Sequence, residues 1–221
     1  GGGKSPYANW ARYEADLNLA MIRAYSGDLP TAQRELEALV DVGPGNGGLQ
    51  TALGSVYQMR GWPRRSLERH QMAYTLDPRD VSPRLGMHEA YVQLQRDDLA
   101  RPLHDDLLQR YPNQSSVQRM DRDWRAHRGW QLQATVEGGR SSGGGGTSPL
   151  GNDDLHYGME VATPILDDRW RLFAFADRRS VTFQDQKINP LWMGAGVRYR
   201  FGRVDAEAAV LRPNDSIGDT G

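Results

Sequence analysis

Hydrophobic positions recur with two different periods along the 221-residue chain. As far as Arg128 they are mostly spaced by three and four residues, which places apolar side chains on one face of a helix. From Gly129 onward they alternate with polar residues, which is typical of half-buried strands. The pattern predicts a helical part, residues 1–128, followed by a strand part, residues 129–221.

The helical part repeats with a period of 34 residues. Pro44, Pro78 and Pro112 share this spacing, and each is expected to end a helix, because proline lacks an amide donor and restricts the preceding residue. Small or apolar residues recur with the same period where paired helices should approach; they are Ala32, Ser66 and Ala100, then Leu39, Ala73 and Leu107. The period predicts helix pairs at about 11–45, 46–79 and 80–113, and then a short capping helix.

This pattern resembles the tetratricopeptide family, whose unit is a 34-residue helix-turn-helix. Two departures are Arg23, where the first repeat should have its tyrosine, and Gln95, which replaces a turn glycine. The resemblance implies a concave groove, lined by the first helix of each pair, on which a partner docks. The groove candidates are Thr51, Ser55, Gln58, Glu89 and Gln93, with Leu17, Met21 and Tyr25 in the first repeat. An ordinary solvent-facing role is the alternative for each.

Two tight turns predict the register of the strand part. Gly202-Arg203 and Asp167-Asp168 are interpreted as two-residue hairpin turns. The cross-strand pairs expected from them are Arg200–Asp205, Arg198–Glu207, Phe201–Val204, Ile165–Trp170 and Val161–Ala174. Opposite charges then fall on one face of the sheet, where they stabilise the strand pair, while the other face is apolar.

Connection lengths predict an outer-membrane β-barrel. Long connections at 141–153 and 184–190 alternate with the tight turns, and strands of about ten residues suit a tilted membrane strand. Because such barrels have long external loops and short periplasmic turns, the helical part is expected in the periplasm. The predicted fold class is α + β: a tetratricopeptide α-solenoid followed by antiparallel strands of an incomplete outer-membrane β-barrel. A soluble β-sandwich, which also alternates, is the alternative.

Composition narrows the possible functions. The net charge of −1 implies no bulk attraction to nucleic acid, and the absence of cysteine excludes disulfides and thiolate metal sites. The histidines lack metal-ligand spacing, and nothing fixes the separation of Glu160 from Glu207 as a glycosidase pair. We therefore expect no cofactor, no metal and no catalytic residue. The chain shows no signal peptide and no apolar run long enough for a spanning helix, and we expect it to be an internal part of a longer protein.

Two segments carry a more specific resemblance. Residues 123–130, DWRAHRGW, and residues 168–175, DRWRLFAF, are similar to the junction and early strands of the poly-β-1,6-N-acetyl-D-glucosamine export porins. The resemblance implies passive export of this biofilm polysaccharide across the outer membrane, with a barrel surrounded by outer-membrane lipid. It also implies periplasmic repeats that dock the polysaccharide de-N-acetylase and guide the partly deacetylated polymer. Cellulose-type export porins share the layout and are the alternative.

The same resemblance implies a polysaccharide path along the polar face of the strands. Carboxylates there would meet glucosammonium groups, aromatic rings would offer flat faces to pyranose rings, and two arginines would neutralise neighbouring acids and stiffen the wall. The candidates are Glu137, Glu160, Phe173, Phe175, Asp177, Trp192, Arg198, Arg200, Asp205 and Glu207. A simple solvated face is the alternative for each residue.

Overall fold

A computed structural model describes residues 10–140, 153–183, 186–188 and 191–214. The chain divides into two compact units, Gly1–Asp123 and Trp124–Gly221. Across the described residues the chain forms seven α-helices followed by six β-strands. The helices are α1 Trp10–Tyr25, α2 Leu29–Val42, α3 Gly47–Met59, α4 Pro63–Leu76, α5 Val81–Gln93, α6 Asp97–Arg110 and α7 Ser115–Arg128. The predicted domain boundary after residue 128 stays a prediction.

Turns with one recurring geometry join the paired helices. Gly27, Gly61 and Gln95 adopt left-handed φ angles of 96°, 72° and 57°, and they are 34 residues apart. The amide of the residue that follows each of them donates to a carbonyl in the last turn of the preceding helix. An example is the bond from Trp62 N to Tyr57 O at 2.9 Å. Pro44, Pro78 and Pro112 each follow the end of a second helix by two residues, which confirms their predicted role.

The core of the helical unit lies between successive helices. The small residues Ala32, Ser66 and Ala100 are completely buried, which confirms that paired helices meet closely there. Leu36, Leu53 and their neighbours form one apolar cluster, and a second cluster surrounds Leu107. Each helix buries one apolar stripe against the helices next to it, which is why the period of the pattern predicted the packing.

A single antiparallel sheet forms the second unit. Its strands are β1 Gln131–Arg140, β2 Asp153–Ala162, β3 Trp170–Phe183, β4 Gln186–Ile188, β5 Leu191–Phe201 and β6 Val204–Asn214. The order across the sheet is β1-β2-β3-β5-β6, and β4 pairs with the end of β3. The short strand β4 lies within the long connection predicted at 184–190, and the rest of that connection falls outside the described residues. The connection predicted at 141–153 falls outside the described residues, except for Asp153, which begins β2.

The β5–β6 hairpin has the predicted register. Phe201 pairs with Val204, Arg200 with Asp205 and Arg198 with Glu207, and Gly202 adopts a φ of 62° in the turn.

The β2–β3 turn differs from its prediction by one residue. Val161 pairs with Ala174 as expected, but Leu166, and not Ile165, bridges to Trp170. Pro164 has no amide to donate to the ladder, and the Ile165 amide donates to the Arg128 carbonyl (3.0 Å) at the end of α7. One extra residue is therefore accommodated before the turn.

Candidate functional site

The sheet has two chemically different faces. The register places all ten residues predicted for the polysaccharide path on one face, here called the polar face. They are Glu137 on β1, Glu160 on β2, Phe173, Phe175 and Asp177 on β3, Trp192, Arg198 and Arg200 on β5, and Asp205 and Glu207 on β6. The alternate residues of each strand lie on the opposite face, here called the apolar face. Alternation and register are therefore consistent across five strands.

Ion pairs cross the polar face. The Arg198 guanidinium donates to Glu207 (2.8 Å) and also reaches Glu160 on β2 (3.2 Å), so it spans the intervening strand β3. Arg200 pairs with Asp205 at 3.0 Å. The two pairs predicted from the hairpin are present, and the bond to Glu160 is additional. These partly solvated pairs fix the positions of the carboxylates more than they stabilise the fold.

The aromatic side chains of the polar face differ in accessibility. Phe173 is only 4% exposed, because its ring lies over Gly196 and the Arg198 guanidinium covers it at 4.9 Å. The expectation that Phe173 offers a free ring face was therefore wrong. Phe175 lies in the same way over Gly194, and it remains half-exposed. Trp192 is exposed and keeps an accessible indole.

His156 belongs to the polar face, although sequence reasoning gave it no role. Its Nε2 bonds to the Asp177 carboxylate, and its Nδ1 lies 3.5 Å from Glu137. An open cavity of about 190 Å³ adjoins this cluster, and its lining includes Gln133, Gly158, Glu160, Phe175 and Asp177. The alternation of β2 puts His156 on the face of Glu160, and the tight β2–β3 turn places it near Asp177, but its contact with Glu137 depends on the register between β1 and β2. A connection as long as 141–152 does not specify that register.

The apolar face is open along most of its length. Leu132, Val136 and Val210 are 69%, 68% and 80% exposed, and Tyr157, Met159 and Leu172 are exposed beside them. In the described part of the chain, none of the helices combines the length and apolarity that a membrane crossing requires. A contiguous apolar surface of this kind marks a site where a protein or a lipid is normally in contact.

The groove candidates of the helical unit are not equivalent. Thr51 and Ser55 lie one turn apart on α3, and their hydroxyls bond back to carbonyls of that helix. Gln58 is buried and accepts a bond from Ser66 (3.1 Å), so it is a packing residue and does not line a surface.

Glu89 and Gln93 are exposed one turn apart on α5. Neighbouring residues desolvate the Glu89 carboxylate and raise its pKa, and the charge of Asp123 raises that pKa further.

A third arrangement, missed in the sequence, joins the last turn of α7 to the sheet of the same unit. Arg171 is 6% exposed, and its guanidinium donates to the carbonyls of His127, Gly129 and Thr163. Arg128 bonds to the Asp168 carboxylate and to the Ile165 carbonyl. The two segments that carried the more specific resemblance, 123–130 and 168–175, therefore contact each other.

The described residues contain no group of three or more histidine, cysteine or acidic side chains placed to hold a metal ion. The chemistry available on the polar face is ion pairing, hydrogen bonding and stacking on aromatic rings.

Comparison with known proteins finds two curated relatives of the same name. No protein-family model matches the chain. The poly-beta-1,6-N-acetyl-D-glucosamine export protein of Escherichia coli K12 is 30% identical over 191 residues, which are 86% of this chain and 23% of that protein. The protein of the same name from Escherichia coli O157:H7 gives the same values. The chain spans about a quarter of the length of these curated relatives.

Among solved structures, the translocator chaperone SycD of Yersinia enterocolitica is similar with a TM-score of 0.51 and 16% identity. The match covers 57% of this chain and 99% of that one. At this identity the likeness concerns the fold alone. The helices have a tetratricopeptide-like arrangement, and they are followed by an antiparallel sheet. The chain is thus similar to part of a poly-beta-1,6-N-acetyl-D-glucosamine export protein.

Proposed function

We propose that this chain is part of an outer-membrane porin that exports poly-β-1,6-N-acetyl-D-glucosamine. The sheet contributes strands to a barrel wall, with its polar face toward the conduit and its apolar face toward lipid. The helical repeats lie in the periplasm, where their groove docks the polysaccharide de-N-acetylase and guides the polymer. The division of the sheet into one open apolar face and one charged face carries the proposal, and the 30% identity to the export proteins of Escherichia coli supports it.

The apolar face has the properties of a lipid-contacting surface. Its exposed side chains lie on strands of ten to fourteen residues, a length that crosses the hydrocarbon layer when the strands are tilted. Exposing this many aliphatic side chains to water would be unfavourable. Each square ångström of exposed apolar surface costs about 25 cal/mol relative to an apolar environment. Lipid would remove that cost along the whole face.

The polar face has the properties of a path for a cationic polysaccharide. Glu137 and Glu207 expose much of their carboxylates, and such groups attract the glucosammonium units that deacetylation creates. Phe175 and Trp192 keep ring surface on which pyranose rings can stack. Phe173 is only 4% exposed, so the proposed path does not use its ring.

Single-cysteine labelling tests the orientation of the sheet directly, because the chain has no native cysteine. Leu172→Cys on the apolar face and Gln133→Cys on the polar face would each carry an environment-sensitive fluorophore in reconstituted vesicles. We expect brominated lipids to quench the fluorophore at 172 several-fold more than the one at 133. Equal quenching at the two positions, or none at either in a chain that stays monodisperse without detergent, would instead indicate a soluble scaffold.

Polymer binding tests the substrate. We expect the chain in detergent to bind a partly deacetylated β-1,6-glucosamine oligomer, and to bind the fully acetylated oligomer more weakly. Glu137→Gln should weaken the first interaction and leave the second unchanged. Binding of cellohexaose with equal affinity would identify a cellulose-type exporter and would contradict the proposed substrate.

A further inference from the structure

A second surface of the helical unit lies outside the groove positions. A pocket of about 400 Å³ opens at the turn between α3 and α4. Its lining consists of Gly61, Trp62, Pro63, Arg64, Arg65 and Leu94, none of which belongs to the groove candidates. We call it the Arg–Trp pocket. Trp62, Pro63 and Leu94 make part of its wall apolar, while the side chains of Arg64 and Arg65 are exposed at its edge.

The surroundings of the Arg–Trp pocket carry an excess of positive charge. Residues 60–69 contain four arginines and a single acid, Glu68. In the described part of the chain none of these arginines forms an ion pair. Arg60 donates instead to the Gln33 side-chain oxygen, and Arg69 donates to that of Gln50. Glu37 lies close by, where it accepts bonds from Gln33 and Tyr57, so four guanidinium groups meet two carboxylates and the local potential stays positive.

Two of these cations contact the same ring. The Cζ atoms of Arg60 and Arg65 lie 4.1 Å and 4.9 Å from the centre of the Trp62 ring. Each contact is a favourable cation–π interaction, but the two like charges are brought close together. An anion at this position would interact favourably with both guanidinium groups. Trp62 also packs against the largely buried Tyr57, at 5.9 Å between ring centres, so part of the site is already ordered.

The equivalent turns of the other two repeats lack this arrangement. The first turn carries Asp28, whose side chain caps α2. At the third turn Arg96 forms two bonds of 2.8 Å with Asp98, so its charge is neutralised. The positive aromatic surface is therefore a property of the second repeat and not of the repeat pattern.

We infer that the Arg–Trp pocket docks an acidic segment of a protein partner, with one aromatic or aliphatic side chain entering beside Trp62 and Leu94. Arginine fits this role because its planar guanidinium forms paired bonds with carboxylates, and a buried aromatic anchor with a charged edge is the usual composition of an interaction hot spot. The net charge of −1 limits the attraction to this patch and disfavours long polyanions. This inference is separate from the polysaccharide path and does not depend on the sheet.

Fluorescence anisotropy on the full chain tests the pocket. The probe is a short labelled peptide with aspartate and glutamate on both sides of one phenylalanine, compared with a peptide in which serine replaces the phenylalanine. Arg64→Glu/Arg65→Glu reverses two exposed charges at the pocket, and Arg79→Glu reverses an exposed charge elsewhere in the helical unit. We expect the double variant to raise the Kd of the phenylalanine peptide at least tenfold, Arg79→Glu to change it less than twofold, and the serine peptide to bind several-fold more weakly.

Three outcomes would overturn the inference. An equal effect of Arg79→Glu would show that general electrostatics is responsible. Equal binding of the two peptides would remove the apolar pocket from the explanation. Tighter, Arg64/Arg65-dependent binding of single-stranded DNA or of phosphatidylglycerol vesicles would assign the patch to a nucleic acid or a membrane instead of a peptide. Circular dichroism of the double variant confirms that the repeats stay folded, because both substituted side chains are exposed.

Discussion

Apolar side chains of the same types are buried in the helical unit and exposed in the sheet. Leu36, Leu49 and Leu53 of the helices are at most 1% exposed, whereas Leu132 and Val210 of the sheet are more than two-thirds exposed. Helices that pack on both neighbours bury their apolar stripes within the chain. A single layer of sheet has no such cover. Hydrophobic burial therefore stabilises the first unit, while the described sheet depends more on its ladder hydrogen bonds.

The sharpest test of this comparison is one truncation in each unit. Leu53→Ala removes a fully buried side chain and should lower the free energy of unfolding of the helical unit by about 3 to 4 kcal/mol through lost transfer energy and a cavity. Val210→Ala removes an exposed side chain and should change the stability of the sheet in detergent by less than about 0.5 kcal/mol. Urea denaturation followed by helical ellipticity measures the first, and hydrogen exchange of β5 and β6 amides measures the second.

The same comparison can be tested in lipid vesicles. If the proposed orientation holds, Val210→Asp in vesicles should be far more damaging than Val210→Ala, because a carboxylate would then face lipid. If Val210→Ala already destabilised the sheet in detergent as much as Leu53→Ala destabilises the helices, the apolar face would have a protein cover, and the comparison would fail.

The next largest effect is expected at Arg171, the one charged side chain among the buried residues of the described sheet. Arg171→Met removes the donors of three carbonyl groups at the end of α7 and the start of the β2–β3 turn. Leaving them unsatisfied should cost about 2 to 3 kcal/mol. Hydrogen exchange of the Ile165 amide, which bonds to the Arg128 carbonyl, reports this locally.

Arg178→Met is the matched control, because Arg178 is exposed on the same strand. It should leave the exchange of Ile165 unchanged. If Arg171→Met also left that rate unchanged, the contacts of Arg171 would not hold the helix end to the sheet.

The helical unit should also lose stability in acid. His70 is 1% exposed, neither of its ring nitrogens has a hydrogen-bond partner in the described part of the chain, and burial lowers its pKa to about 4. Because the folded pKa lies below the ordinary value near 6.5, the unfolded chain binds the proton first as the pH falls. Stability is therefore complete above pH 6.5 and declines toward pH 4.

Between pH 7 and pH 5 this histidine alone should cost about 2 kcal/mol. Urea denaturation at several pH values measures the loss, and His70→Met should reduce the slope because methionine does not titrate. Identical slopes in the two proteins would show that carboxylates, and not His70, cause the acid sensitivity.

Local rules predicted the features that depend on neighbours in sequence. The 34-residue period located the buried small residues, and a two-residue turn specified Arg198–Glu207 because one short loop fixes the register of a hairpin. The contact of His156 with Glu137 and the bond of Arg171 to Gly129 were not predictable, since their partners come from segments separated by the long connection 141–152. Phe173 was misjudged because the alternation gives a face, whereas accessibility also depends on the arginine that covers the ring.

The smallest effect is expected at the turn residues with a left-handed φ angle, which both units contain. In the sheet Gly202 occupies such a position, and in the helices Gly27, Gly61 and Gln95 do, with glutamine at a φ of 57°. Gln95→Gly should stabilise the helical unit by about 0.5 to 1 kcal/mol, because it relieves backbone strain. Among the described residues the buried Gln95 side-chain oxygen has no hydrogen-bond partner either, so its loss removes a further small cost. Gly61→Ala is the reciprocal variant: a Cβ there meets open space, so only the φ of 72° opposes it, and it should cost about 1 kcal/mol. Urea denaturation of the two variants should therefore shift in opposite directions. A loss of stability in Gln95→Gly would mean that the glutamine side chain contributes more to the third repeat than its backbone strain costs.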